Sequence, residues 1–209
     1  MKDLINLRCL WITTKQRYLP VGGIGCLKSL QYLFITDCDN LESLCEDIQG
    51  LKRLQTLVIR DCDSLVSLPP SVRFLASLKT LVIADCRSLS LTMKEDSASE
   101  FSLRELKIGG LSKLVDFPEW LLRGSTNSLK VIEVVSCHNL RDLPDYIHNI
   151  QSLEEFHIKG CPQLQETEGG NKTHGELHKM LWPNGPKSII IEQTQHLTRG
   201  GLQHLQTFC

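Results

Sequence analysis

The sequence carries almost no net charge: 23 Lys and Arg stand against 24 Asp and Glu, a formal charge of −1. A nucleic-acid or acidic-membrane footprint needs a clustered basic excess, and the chain offers none. Long apolar runs are missing too; the longest fall far short of the ~18 residues that span a bilayer. The opening stretch MKDLINLRCLWITT lacks an apolar segment with a small-residue cleavage site, so no secretory signal is expected there. There is no CxxC pair of the kind that anchors structural zinc. No Ser/His/Asp set or carboxylate pair can be placed convergently, so the residues give no basis for an enzyme, a cofactor or a metal centre. Two near-motifs fail on spacing. GGIGCLKS at 22–29 puts Leu27, not glycine, before Lys28, which spoils a phosphate-cradling loop. HGELH at 174–178 has its glutamate one place late for a zinc-peptidase helix, and reads as a surface loop. The sequon Asn171-Lys172-Thr173 has no meaning without secretion.

Cysteine, by contrast, is plentiful. The nine are an odd number, so complete internal pairing is impossible, and in a non-secreted chain most should be free thiols. Their placement follows a repeat. LQYLFITDCDNLESL at 30–44 matches LQTLVIRDCDSLVSL at 54–68, and LKTLVIADCRSL follows at 78–89. LRELKIGGLSKLVDF, LKVIEVVSCHNLRDL and LEEFHIKGCPQL continue at 103–117, 129–143 and 153–164, with LRCLWITTKQRYLP upstream at 7–20. The shared pattern is LxxLxIxxCxxLxxLPxxIxx. Its first leucine falls at Leu7, Leu30, Leu54, Leu78, Leu103, Leu129 and Leu153, giving steps of 23, 24, 24, 25, 26 and 24 residues.

Seven copies at this period describe a leucine-rich-repeat solenoid, an α/β fold with one strand per coil. The LxI pairs alternate within a strand and so share one face. The later leucines return from the far side of the coil to the same core. Parallel strands should line the concave face, with irregular loops and short helical turns on the convex face. No coil can bury its own apolar face alone; stacking makes the core continuous. The repeats are expected over residues 1–165, a polar loop over 166–186, and a last strand and tail over 187–209. Residues 90–102, SLTMKEDSASEFS, read as a polar insertion. Because the repeat begins within a few residues of Met1 with no cap, further coils or another domain are expected before it.

The repeat gives each cysteine a structural place. Cys38, Cys62, Cys86, Cys137 and Cys161 share one position, taken by Lys15 and Leu111 in the other two coils. Cysteine is small, apolar and a weak donor, suited to a buried turn. Coils stacked at strand spacing, ~5 Å, would also allow a disulfide ladder, a rival that a reducing compartment disfavours.

Three columns of residues should face the concave side. The first is Cys9, Tyr32, Thr56, Thr80, Glu105, Val131, Glu155. The second is Trp11, Phe34, Val58, Val82, Lys107, Glu133, His157. The third is Thr13, Thr36, Arg60, Ala84, Gly109, Val135, Lys159. Apolar patches rimmed by polar groups mark protein contacts, and aromatics with arginine make good anchors. Trp11, Tyr32, Phe34, Val58, Arg60, Val82, Lys107 and His157 are therefore the candidate protein-binding residues. The bland alternative is that valines and aromatics simply form good strands. Asp37, Asp61 and Asp85 make a further row, either solvated or an acidic docking strip, with Arg60 and Arg87 as neighbouring cations.

LQTLVIRDCDSLVSLPPSV, LKVIEVVSCHNLRDLPDYIHNIQSLEEFHIKGCPQL and the closing CPQL with Gly175-Glu176 and Lys179 resemble the leucine-rich repeats of plant intracellular nucleotide-binding immune receptors, chiefly the coiled-coil class. The likeness runs over roughly residues 4–180. The resemblance implies a sensor that recognises pathogen effectors or host proteins altered by them, and that restrains an upstream nucleotide-binding domain of the same receptor. It also implies a cytoplasmic or nucleocytoplasmic location. The chain itself shows no P-loop, nucleotide-binding domain or coiled coil, so it could supply only the recognition or restraining surface. The other reading is a free-standing adaptor, such as the substrate arm of a ubiquitin ligase, which LTRGGLQHLQ at 197–206 faintly resembles.

Overall fold

A computed structural model describes residues 6–93, 100, 102–144, 147, 149–165 and 188–192. Eight strands form one sheet in sequence order: β1 (Cys9–Ile12), β2 (Tyr32–Thr36), β3 (Thr56–Arg60), β4 (Thr80–Ala84), β5 (Glu105–Gly109), β6 (Val131–Val135), β7 (Glu155–Lys159) and β8 (Ser188–Glu192). Every neighbouring pair is parallel and in register at the repeat period, so Leu33, Leu57, Leu81, Leu106, Ile132 and Phe156 form one ladder. A one-residue slip would move these side chains to the other face, which is why the LxI spacing sets the register. The chain is a leucine-rich-repeat solenoid.

The core lies between the sheet and the returning leucines. Leu30, Leu33, Ile35 and Leu41 in the second coil, and Leu54, Leu57, Ile59 and Leu65 in the third, are wholly buried. Each such side chain contributes roughly 1.5–3 kcal/mol before entropy is subtracted. The return path is built from short 3₁₀ turns, Glu46–Gly50 and Pro70–Phe74, and one α-helical turn, α1 (Trp120–Arg123). Pro70 sits at the start of its turn, where its missing N–H costs nothing. The glycine-rich stretch 22–29 is such a return segment. Lys28 Nζ donates to the carbonyls of Gly25 (2.7 Å) and Gly50 (3.2 Å), tying two coils together. Gly25 is required there, because a Cβ would overlap the Asp47 carbonyl oxygen.

A second, shorter ladder runs along the return side of the coils, past the cysteine position. It links Tyr18, Ser43, Ser67 and Ser90, stops, and resumes between Asp116 and Asp142. At the interruption the fourth coil has LxL, Leu89-Ser90-Leu91, where the third has LxxL (65–68) and the fifth LxxF (114–117). A cleft of about 710 Å³ opens at the break, lined by Leu91, Met93, Leu114, Phe117, Trp120 and others. Trp120 Nε1 spans it in part, donating to the Leu91 carbonyl at 2.8 Å.

The sequence-expected loop 166–186, the motifs at 171–173 and 174–178, and the tail after Glu192 lie outside the described residues. No described helix is long and apolar enough to cross a membrane.

Candidate functional site

The strand register carries all three predicted columns across the concave sheet. Cys9, Tyr32, Thr56, Thr80, Glu105, Val131 and Glu155 pair in succession, as do Trp11, Phe34, Val58, Val82, Lys107, Glu133 and His157. The third column runs from Thr36 through Arg60, Ala84, Gly109 and Val135 to Lys159, while Thr13 lies just past the end of β1.

Exposure corrects the expectation of an open apolar patch. Phe34, Val58 and Val82 are only 3%, 3% and 1% exposed, and form a small cluster of their own with Cys9 and Tyr32 against it. Strands ~4.8 Å apart bring identical positions into contact, so a ladder of large side chains covers its own flanks. Trp11 remains 54% exposed, stacked on Phe34 with ring centroids 4.2 Å apart and planes 11° from parallel. The apolar feature open to a partner is thus Trp11, with half-buried Tyr32 and Thr56 beside it.

The charged half is internally paired. Lys107 Nζ lies 3.6 Å from Glu133 Oε2, and His157 Nε2 lies 3.8 Å from Glu155 Oε2. Arg60 Nε lies 3.4 Å from Asp61 Oδ2, whereas Arg87 turns to Asp63 (3.7 Å), not to Asp85.

The aspartate row has a backbone cause that the sequence reading missed. Asp37, Asp61 and Asp85 follow their strands with φ of 54°, 51° and 51°, and Ser136, Gly110 and Gly160 hold the same place at 53°, 60° and 65°. Left-handed backbone is the province of glycine, and of asparagine and aspartate among residues with a Cβ. The signal was present in the glycines of KIGG and HIKG. Asp37, Asp61, Asp85, Gly110 and Ser136 donate their N–H to the next coil, Asp61 to the Ala84 carbonyl at 3.1 Å and Asp85 to the Gly109 carbonyl at 3.0 Å. Burial and then the charge of Asp85 raise the Asp61 carboxyl above its ordinary range; Arg60 offsets only part of this, and Asp37 and Asp63 add to it.

One step on, the repeat cysteines close the same turn. Cys38, Cys62 and Cys86 donate their thiol hydrogens to the carbonyls of Thr36, Arg60 and Ala84 at 3.3, 3.2 and 3.3 Å. Cys137 and Cys161 reach Val135 and Lys159 at 3.6 and 3.7 Å. All five are buried and free. A hydrogen bond shared with Cys62, then burial, pushes the Cys86 thiol up; Cys161 and burial do the same for Cys137. Leu111, in the coil without the cysteine, is wholly buried at that place. Among the described residues no group of three His, Cys, Asp or Glu could hold a metal ion.

The sequence profile of plant disease resistance protein RPS2-like leucine-rich repeats matches residues 45–167, more than half of the chain. The chain belongs to this family. No curated protein matches the chain significantly. Among solved structures it is similar to the leucine-rich repeat domain of the type III effector XopL, at 18% identity over 91% of this chain and 78% of that one, with a TM-score of 0.47. It is also similar to the plant peptide hormone receptor RGFR1 in complex with RGF2, at 19% identity over 70% of this chain, with a TM-score of 0.39, and spans 25% of the length of that receptor chain. A Leptospira interrogans LRR protein matches at 15% identity over 82% of this chain and 62% of its own, TM-score 0.23.

Proposed function

We propose that this chain is a non-catalytic protein-binding module, the recognition and restraining repeat region of an intracellular plant immune receptor that acts in defence against pathogens. Its family membership supports the setting. The observation that carries the reading is Trp11, an aromatic more than half exposed on the concave sheet and backed by the Phe34 ring. A stacked aromatic on a rigid sheet offers a partner large area at little entropic cost, the usual property of an interface anchor. The partner is a protein: a pathogen effector, a host protein altered by one, or the nucleotide-binding domain of the same receptor. The place of action is the cytoplasm, or nucleus and cytoplasm together.

Proximity labelling in plant tissue tests this, comparing the wild-type chain with Trp11→Ala. The expected result is a set of cytoplasmic proteins labelled by the wild type and lost from the variant, with circular dichroism unchanged. Identical labelled sets from both would overturn the placement of the site.

A further inference from the structure

The two halves of the concave face differ in how their charges balance. In the C-terminal half Glu105, Glu133 and Glu155 stand against Lys107 and Lys159, with Glu133 on Lys107 and Glu155 near His157, an excess of one negative charge. Over the second to fourth coils the rim beside the Trp11–Phe34 strip carries Asp37, Asp39, Asp61, Asp63 and Asp85 against Arg60 and Arg87, an excess of three negative charges in a chain whose total is −1. Arg60 is engaged by Asp61 and Arg87 by Asp63. Asp37, Asp39 and Asp85 have no ion pair among the described residues.

Local structure does not demand this excess. The left-handed position accepts Ser136, Gly110 and Gly160 in later coils, so it needs a compatible backbone and not a carboxylate. Asp39 and Asp63 are outside that position, though Asp63 accepts the Arg87 backbone N–H at 3.4 Å. The carboxylates also repel one another: after burial, the charge of Asp85 is what raises the Asp61 carboxyl. A folded chain that keeps such a row beside the exposed Trp11 is complementary to a cation-bearing partner.

We propose that the N-terminal half of the concave sheet docks an extended basic segment of a partner protein, its apolar side chains on Trp11 and Tyr32 and its Lys or Arg side chains on the Asp37–Asp61–Asp85 row. This rests on the protein-binding reading above and names the chemistry of the partner. The dimensions agree. Three coils place the row over ~10 Å, two strand spacings, and alternate residues of an extended segment lie ~7 Å apart, so two basic side chains fit along it.

The test is fluorescence anisotropy with the full chain and two labelled decapeptides, one alternating Arg and Val, the other Glu and Val. The Arg peptide should bind at least about tenfold more tightly, with an affinity that falls as salt rises. Asp37→Asn, Asp61→Asn and Asp85→Asn together should erase that preference while leaving the fold intact, since asparagine tolerates the same backbone. Trp11→Ala should weaken both peptides. Equal affinities, an Arg-peptide affinity unmoved by the triple variant, or no binding at all would overturn the proposal. If only the charge preference is absent while Trp11→Ala still abolishes binding, the docking face stands and the basic partner falls. If Trp11→Ala changes nothing, the reading of the concave site falls as well.

Discussion

Phe34→Ala separates a buried strut from an exposed anchor. The sequence alone places Phe34 with Trp11 as a contact residue whose removal should spare the fold. The structure makes it 3% exposed, beneath the Trp11 ring and beside Val58. A phenylalanine buries about 150–250 Å². At about 25 cal/mol/Å² the lower bound corresponds to ~4 kcal/mol. The half-exposed Trp11 on the adjacent strand can settle into the cavity, so about 3 kcal/mol is expected, the low end for a buried Phe→Ala. Trp11→Ala loses the stack and less than half a side chain of burial, and should cost about 1–2 kcal/mol. A solenoid can unfold by parts, so a global midpoint would blur the comparison. Amide hydrogen exchange in β1 to β3 reads the effect locally. Phe34→Ala should accelerate exchange there roughly a hundredfold, since ~1.4 kcal/mol is a factor of ten, and Trp11→Ala about tenfold. If Phe34→Ala left β1 to β3 as protected as in the wild type, the small concave cluster would not be a structural element and the exposed-patch reading would return.

Other perturbations address the turn that ends each strand. Because the folded Asp61 carboxyl is raised, its ionisation opposes folding: stability is highest below its unfolded value, near 3.8, and is lost as pH rises through the folded value. Asp61→Asn should therefore match the wild type at about pH 3 and exceed it at neutral pH, by about half a kcal/mol or less because the carboxylate is partly solvated. Urea titrations at both pH values check this, and a less stable variant at neutral pH would show that the Arg60 contact dominates. Native protein treated with a thiol reagent should react fastest at Cys26, the one fully exposed cysteine among the described residues. Cys38, Cys45, Cys62, Cys86, Cys137 and Cys161 should stay silent until unfolding, Cys45 doubly so because burial and the Asp47 carboxylate push its thiol up to about 12. Fewer than nine thiols in freshly unfolded protein would instead reveal a disulfide. Gly25→Ala should cost about 1–3 kcal/mol by overpacking against the Asp47 carbonyl, measured by urea denaturation, and an unperturbed variant would mean that the return segment moves freely.

What was legible in the sequence was whatever repeats. Leu57 and Ile59 recur in step with Leu81 and Ile83, and in a sheet of one strand per coil that recurrence is the register. The cysteine position was legible for the same reason. Exposure was not, because it depends on what lies next door in space. Val58 reads as an outward strand residue in its own coil, and only the neighbours Phe34 and Val82 at the same height bury it. The aspartate row was seen as charge, while its backbone role was signalled only by Gly110 and Gly160 at the same place in later coils.

The cleft at the fourth coil shows the limit most clearly. A single missing residue in Leu89-Ser90-Leu91 changes no hydrophobic count and no period visible at the strand, since β4 and β5 still pair in full. On the return side the ladder pairs Ser90 with Ser67 and goes no further until Asp116 meets Asp142. The two sides of this coil therefore differ in continuity: β4 and β5 stay paired across the place where the return ladder stops. Only the LxL spacing, read against the LxxL at 65–68 and the LxxF at 114–117, marks that place in the sequence.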